Sequence, residues 1–477
     1  MPQITIDSNS FLRGEGLSDF SGNRGFSPKS KNIIINATDG ALGSKGTPLA
    51  TGTVPDGLSP IAVAERVSAG TGPYVLLADA TEDLHVYTTN GSTLTTDSKE
   101  DTGRNYVAYI TNAIRYKDKI YVSSTTNIAY DIAAATPDWD WGTTVASLTF
   151  TDNAFCPHMF LVVSGVLLIS DANVVKSWDG TTANNAMLTF SDTDQKISAW
   201  SLHNDNVYLA TTNATSSQKG RNYLHIWDGR NKNNTLISKD IPLPSRCLKM
   251  ESWDGRLILF FRDFFGEFDG VRVNKISNLD WKTDGAFNYM VAQSGDGLYF
   301  VDKYTRTSPT VSCIKHLTSN GALYTWYELT ALKVLFSYFI SSGYEEITFI
   351  SSTIIRYHDR DTYADNGVFY SNWFNFPDNT KITRLLIEFA EPIVSGDANA
   401  IRLYNEKLSI LGSDPTNYIE LTANYSSAGG MINYAREFRD INFYCSALQV
   451  VLNTFDTAVK RITITYEDGR NQPIPTY

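Results

Sequence analysis

Short apolar, β-branched segments meet at a tight turn about every 45 residues along most of this chain, and that rhythm restricts the fold more than any other feature. The turns fall near Thr71 (SAGTGPYVLLA), Asp118 (YKDKIYVSS), Gly165 (VVSGVLLIS), Asp205 (LHNDNVYLAT), Asp254 (ESWDGRLILFF), Gly297 (QSGDGLYFVD) and Gly343 (ISSGYEEITFI). Counted between those positions, the intervals are 47, 47, 40, 49, 43 and 46 residues. Asp-Gly and Asn-Asp pairs supply the left-handed backbone positions that two-residue hairpins need. A β-protein without internal repeats has no reason to space its turns so evenly.

A second signal follows some of these hairpins, a strand that ends in an aromatic residue followed by Asp-Gly. It occurs in VVKSWDG (Trp178, Asp179, Gly180), YLHIWDG (Trp227, Asp228, Gly229) and FFGEFDG (Phe268, Asp269, Gly270). Any strand leaving a half-buried sheet can look like this, so each occurrence alone says little. A hairpin followed by another strand pair, repeated with a period in the forties, is the pattern of a four-stranded propeller blade. The expectation is an all-β fold with a six- or seven-bladed β-propeller.

Composition agrees. Aromatic residues are 12% of the 477, Tyr alone accounts for 26, and no long segment repeats apolar residues at helical spacing, so strands are favoured. The best short helical candidate, NIAYDIAAA at 127–135, reads equally as a strand and loop. A chain of this length normally folds as more than one domain. Residues 1–57 read as an extended arm rich in Gly, Ser and Asn, in which Ile4, Ile6, Ile33 and Ile35 mark two short strands expected to pair with a blade or a neighbouring subunit. Residues 58–376 hold the seven hairpins. In 377–477 the rhythm gives way, from Lys381, to longer alternating strands such as TRLLIEF, AIRLY, ALQVVL and KRITITYE, which suggest a small β-sandwich-like domain.

Charge and targeting narrow the partners. The formal net charge is −11 with no Lys/Arg run, which argues against tight binding to a phosphate backbone. The opening MPQITIDSNSFLRGEG lacks a basic segment followed by an apolar one, and no apolar stretch approaches the roughly 18 residues of a membrane span. Neither a secretory leader nor membrane insertion is expected. Cys156, Cys247, Cys313 and Cys445 are scattered without CxxC spacing and read as reduced core thiols.

Catalytic signals are sparse. The six histidines (His85, His158, His203, His225, His316, His358) show no metal-ligand spacing, and GxSxG, Walker and GxGxxG motifs are absent. The turn at Ser294–Tyr299 departs from the Ser-x-Asp-x-Gly-x-Thr-Trp turn of sialidase-type propellers in its glycine position and its missing Trp. Paired carboxylates at Asp138/Asp140, Asp192/Asp194 and Asp359/Asp361 read first as solvated turn residues. No catalytic, cofactor or metal site is expected.

The plan as a whole resembles a known family. An arm of the form FSGNRGFSPKSKNIIIN (20–36) leads to Asp39-Gly40-Ala41-Leu42; hairpins with aromatic-Asp-Gly strands follow; the last domain opens with YSNWFNFPDNTKITRLLIEF (370–389) and closes with RITITYEDG (461–469). This resembles the propeller-type tail hub or nozzle proteins of short-tailed bacteriophages. The resemblance implies a virion structural protein, assembled in host cytoplasm, that forms a ring of several copies, often six, in the tail. It implies portal, adaptor and fibre proteins as partners, and double-stranded DNA passing through without specific binding. An acidic wall suits such a conduit because it repels phosphate. The rival reading is a glycan-binding propeller, an adhesin or fibre-associated protein, that stacks sugars on Trp139 and Trp141 in PDWDWG. A glycan hydrolase using Asp138 and Asp140 is a weaker variant of it.

Overall fold

The computed structural model describes residues 1–7, 30–31, 33–35, 42–44, 49–53, 67–69, 72–78, 84–89, 94–96, 112–117, 119–123, 128–132, 143–144, 148, 150–151, 158–213, 220–230, 236–281, 291–294, 297–303, 311–319, 321–330, 332–339, 345–351, 354–357, 368–371, 374–393, 398–404, 418–424, 433–455 and 458–467. Every regular element among them is a β-strand.

Seven sheets have four strands each. The first holds Val67–Ala69, Gly72–Ala78, Leu84–Thr89 and Leu94–Thr96, and the second Asn112–Tyr116, Lys119–Ser123, Ile128–Ile132 and Thr143–Thr144. The third holds Phe160–Val163, Val166–Asp171, Val174–Trp178 and Ala183–Thr189; the fourth, Lys196–His203, Asn206–Thr212, Asn222–Trp227 and Leu236–Pro242. The fifth holds Lys249–Trp253, Arg256–Phe260, Phe264–Phe268 and Val273–Asn278; the sixth, Val291–Ser294, Gly297–Lys303, Val311–Thr318 and Leu323–Thr330. The seventh joins Leu332–Phe339, Glu345–Ser351 and Ile354–Tyr357 to Leu49–Thr53 from the N-terminal region.

Each evenly spaced turn of the sequence is the first hairpin of one of these sheets. Val163 faces Val166, His203 faces Asn206 and Trp253 faces Arg256, leaving two residues in each turn. Both turn residues are left-handed, as the pairs Ser164/Gly165 (φ 50° and 78°), Asn204/Asp205 (47° and 61°) and Asp254/Gly255 (50° and 70°) show. That geometry matches the twist of the flanking strands. Two positions need adjustment: Gly297 is the first strand residue opposite Ser294, and the seventh hairpin is longer, with Phe339 opposite Glu345. The segment 127–135 resolves in favour of a strand, Ile128–Ile132.

The remaining strands form one ten-stranded sheet. Two long strands dominate it, Phe374–Ile393 and Asn433–Phe455, with 20 and 23 residues. One core takes side chains from both halves of the longer strand, including Ile441, Phe443, Leu448 and Val450, and adds Ile382, Leu385, Ile401, Leu403, Ile462 and Ile464. Ile462 and Ile464 point inward with partly buried Tyr466, as alternation requires, and Thr463 lies on the other face.

Within the chain the two expected arm strands pair in the ten-stranded sheet and not in a four-stranded one, which corrects the expectation of a blade partner. Ile4 and Ile6 lie opposite Ile464 and Ile462 of Val459–Glu467, and buried Ile6 joins the same core. Ile33 and Ile35 pair with Ser44 and Leu42, and Leu42 in turn faces Val459. The apolar alternation of QITID matches the inward face of KRITITY, so burial of Ile6 outweighs any simpler edge. The arm strand that completes a four-stranded sheet is the polar Leu49–Thr53, which carries no comparable apolar signal.

The compact units also differ from the expected boundaries at 57/58 and 376/377. One comprises 1–49, 304–329 and 358–477; the other comprises 50–303 and 330–357. Residues 1–49 count with the last domain because the strands Gln3–Asp7, Ser30–Lys31, Ile33–Ile35 and Leu42–Ser44 pair there, and Ala322 and Tyr324 join that core.

Candidate functional site

The aromatic-Asp-Gly segments are the first candidates, and in all three the motif ends the third strand of its sheet. The aromatic ring is buried: Trp178, Trp227 and Phe268 are each less than a tenth exposed. The carboxylate caps the turn that follows. Asp179 Oδ1 accepts the N–H groups of Thr181 (2.8 Å) and Thr182 (2.7 Å) and the Thr181 hydroxyl (2.8 Å). Asp269 Oδ1 accepts Val271 N–H and Arg272 N–H, both at 2.9 Å, and Oδ2 accepts Asn274 Nδ2 at 2.8 Å. Asp228 Oδ1 accepts Arg230 N–H at 2.9 Å. These bonds hold the Asp179 carboxyl below the usual range, and hold that of Asp269 at about 2, with the backbone amides of Thr182 and Arg272 the largest causes. The glycine then turns the chain at positive φ. At Gly229 a Cβ would also stand 2.9 Å from both Val163 Cγ1 and Val207 Cγ2, so the closeness of neighbouring sheets excludes a side chain.

Neighbouring sheets are tied in chain order by polar contacts around their hairpins. Tyr116 donates to Gly165 O (2.6 Å), Trp178 Nε1 to Tyr121 Oη (3.0 Å), and Lys117 Nζ to Asp179 O. Arg230 Nε donates to Ser164 Oγ (2.9 Å), His203 Nδ1 bonds Ser252 Oγ (2.9 Å), and Gln293 Nε2 donates to Glu251 Oε2 (2.8 Å). Sheets two to six are thus linked consecutively.

A buried polar cluster sits where the chain enters the third sheet, and the sequence reading did not find it. Asp171 ends the second strand and Lys176 lies on the third, with Nζ 2.6 Å from Asp171 Oδ2 and both side chains at least nine-tenths buried. Asp171 Oδ1 accepts Thr151 N–H at 3.0 Å and lies 3.8 Å from His158 Nδ1, which bonds Ser170 O at 2.9 Å. Ser170 Oγ accepts Met159 N–H (2.8 Å), and Ser123 of the preceding sheet donates to His158 O (2.8 Å). The Phe150 ring covers the site, 4.8 Å from both Lys176 Nζ and the His158 ring centroid. The same device returns in the sixth sheet, where buried Asp302 accepts Asp280 N–H at 2.9 Å. In both places a second-strand carboxylate anchors the connection arriving from the previous sheet. A residue pair such as Asp171 and Lys176 within ISDANVVKSW offers no sequence signal beyond two polar residues in an apolar hairpin.

The other candidates separate. Asp192 Oδ1 accepts Asp194 N–H (3.1 Å) and its Oδ2 pairs with Arg221 Nη2 (2.9 Å), a turn and a surface ion pair. His225 is buried, with Nε2 2.9 Å from Thr211 Oγ1, and burial pushes it down to about 4. Cys247 and Cys445 are free, buried thiols, raised by burial to about 12 and about 11, which keeps them protonated and unreactive. Cys313 is also buried and outside any disulfide among the described residues. Among the described residues no three His, Cys, Asp or Glu side chains converge on a metal position, and no helix is long and apolar enough to cross a membrane. Trp139, Trp141, Asp138, Asp140, Asp359 and Asp361 lie outside the described residues.

No protein family matches the sequence, and no curated protein does. Among solved structures, the computationally designed Ika8 protein is similar at 10% identity and a TM-score of 0.36, covering 68% of this chain and 98% of that one. An exo-β-1,3-galactanase from Phanerochaete chrysosporium with galactose is similar at 11% and 0.31, covering 88% and 100%. BBS1N in complex with ARL6DN is similar at 8% and 0.42, covering 67% and 99%. At these scores the likenesses carry no argument about this chain.

Proposed function

We propose that the seven four-stranded sheets are the blades of one propeller, and that the chain is a non-catalytic structural protein of a tailed-bacteriophage virion. The observation that carries this reading is the make-up of the seventh sheet. Its fourth strand, Leu49–Thr53, belongs to the stretch of chain that leads into the first sheet at Val67. One segment therefore ties the last blade to the first, which is how a ring of sheets closes without leaving a long edge. The consecutive ties between sheets two to six support the same order.

In this reading the buried polar groups hold blades and connections together. Copies of the chain form a ring in the tail, continuing the DNA channel, helping to retain packaged genome and giving fibres a docking surface. Portal and adaptor proteins are its other partners. The support is the resemblance of the overall plan together with the acidic balance of −11. Rigid β-units whose contacts rotate to closure make such rings, and an acidic wall lets DNA pass without adding phosphate contacts.

The test is native mass of the purified chain together with its position in the particle. A closed ring of copies on the tail axis is expected. A monomer or trimer at a fibre tip, or release of sugar from a glycan by the purified chain, overturns the reading.

A further inference from the structure

Among the described residues, four neighbouring strands of the ten-stranded sheet have two outer edges with no further strand on them. Their order is Gln3–Asp7, Val459–Glu467, Phe374–Ile393 and Asn433–Phe455. Rows of side chains cross all four. Gln3, Thr465, Arg384 and Arg439 form one, and Thr5, Thr463, Leu386 and Glu437 another. Between them run Ile4, Ile464, Leu385 and Phe438, and then Ile6, Ile462, Ile387 and Arg436, on the face that packs into the core. Among the described residues no second strand lies along the far side of Gln3–Asp7. The same holds for the far side of Asn433–Phe455 before Gln449, where Ala398–Tyr404 begins to pair.

Open edges of this kind are templates for another strand. The second edge carries further marks of an absent neighbour. Tyr434 is 53% exposed, and Arg436 Nε is buried with no acceptor among the described residues. A strand laid along this edge brings carbonyl oxygens within reach of that donor and covers the Tyr434 ring. The regular run has two defined ends: Asp440 takes a left-handed φ of 55° and the register breaks beside it, and the register shifts again between Ala435 and Asn433, leaving 435–439 as the regular run.

We propose that Gln3–Asp7 of one copy pairs antiparallel with residues 435–439 of the next, so that the sheet continues from copy to copy. This rests on the ring reading and names the surface that builds the ring. Three antiparallel steps separate the two outer strands, so they run in opposite directions. A second copy in the same orientation therefore continues the alternation without reversal. Face parity is kept as well, because Ile4 and Ile6 extend the row positions of Phe438 and Arg436 while Thr5 extends that of Glu437. Two different edges meeting head to tail propagate and close, whereas one edge meeting itself stops at a dimer.

The test is cross-linking of the full-length chain. Thr5→Cys is combined in turn with Ala435→Cys, Glu437→Cys and Arg439→Cys, all on the polar face, and oxidised under native conditions beside the unsubstituted chain. Cross-strand neighbours stand about 4.5–5.5 Å apart at Cβ, close to disulfide reach. At least one pair is expected to give a ladder of species beyond the dimer, and each single variant none. Amide exchange at 435–439 in the unsubstituted chain should slow on assembly. Rings by native mass with neither a ladder nor slowed exchange overturn the pairing and leave the ring reading standing. Dimers from Glu437→Cys alone mean the edge pairs with itself, which also overturns it. Absence of any assembly, ladder or protection sinks both readings.

Discussion

Lys176 Nζ stands 2.6 Å from Asp171 Oδ2 in a site closed to solvent, and the same carboxylate holds Thr151 N–H at 3.0 Å. The pair ties the entering connection to its own sheet. Removing one partner leaves a buried charge uncompensated, which costs about 3–5 kcal/mol, while replacing both with apolar groups of similar volume costs far less. Asp171→Ala is therefore expected to lower stability by that amount. Asp171→Leu together with Lys176→Met is expected to recover most of it, read from urea midpoints. A double variant as unstable as the single one contradicts this.

His225 predicts a second, acid-sensitive loss. Its Nδ1 accepts Asp240 N–H at 3.3 Å, leaving the proton on Nε2 to donate to Thr211 Oγ1. Burial holds it at about 4, against its reference value of 6.5, with Asp240 opposing. A folded value below the unfolded one means that the unfolded chain takes up the proton first. The contribution is complete above about pH 6.5 and is lost as pH falls toward 4, with a total of about 3 kcal/mol. His225→Gln should flatten the stability–pH slope in that window. An unchanged slope would remove His225 as its source.

Asp269 predicts a separate window at lower pH. Its carboxyl is held at about 2 by the Arg272 and Val271 amides and by Asn274. Stability from this cap is present above the ordinary carboxylate value of about 4 and disappears as pH drops from there toward 2. Asp269→Asn, measured by thermal unfolding, should lower the melting temperature at pH 7 and lose that effect near pH 2.

The repeat was legible because two-residue hairpins require special residues. Asp205, Asp254 and Gly165 stand at left-handed positions of two-residue hairpins, and the seven turns in phase mark the first hairpins of seven sheets. What decided the arm was less visible. QITID carries an apolar alternation that fits several sheets, and only the buried Ile462 and Ile464 select its partner. LATGT completes the seventh sheet through backbone bonds that any sequence can make. The length of Phe374–Ile393 was hidden by Pro377 and by the register breaks after Asn375 and Ile382, and that of Asn433–Phe455 by REFRD and its bulge at Asp440. The ion pair of Asp171 and Lys176 was hidden for another reason, since chain spacing does not report depth.

A glycine inside a strand can be read as a place where backbones come close, and Gly266 in FFGEF tests that rule. It sits where the pairing of Phe264–Phe268 with Val273–Asn278 shifts register, between Phe265 and Gly266. A Cβ there would meet Asn274 O at 2.5 Å and Val273 Cγ1 at 2.9 Å. A backbone oxygen held in a ladder cannot swing aside, so the fourth strand itself would have to move. Gly266→Ala is expected to cost about 1–3 kcal/mol, as overpacking does. Gly255, whose Cβ would meet nothing within 4 Å, carries only the strain of its positive φ. Chemical denaturation of the two variants separates the mechanisms: Gly266→Ala should also speed amide exchange along Val273–Asn278, and Gly255→Ala should leave that strand protected. Equal protection of the fourth strand in both would mean that it yields without losing its bonds, and that the glycine is there for another reason.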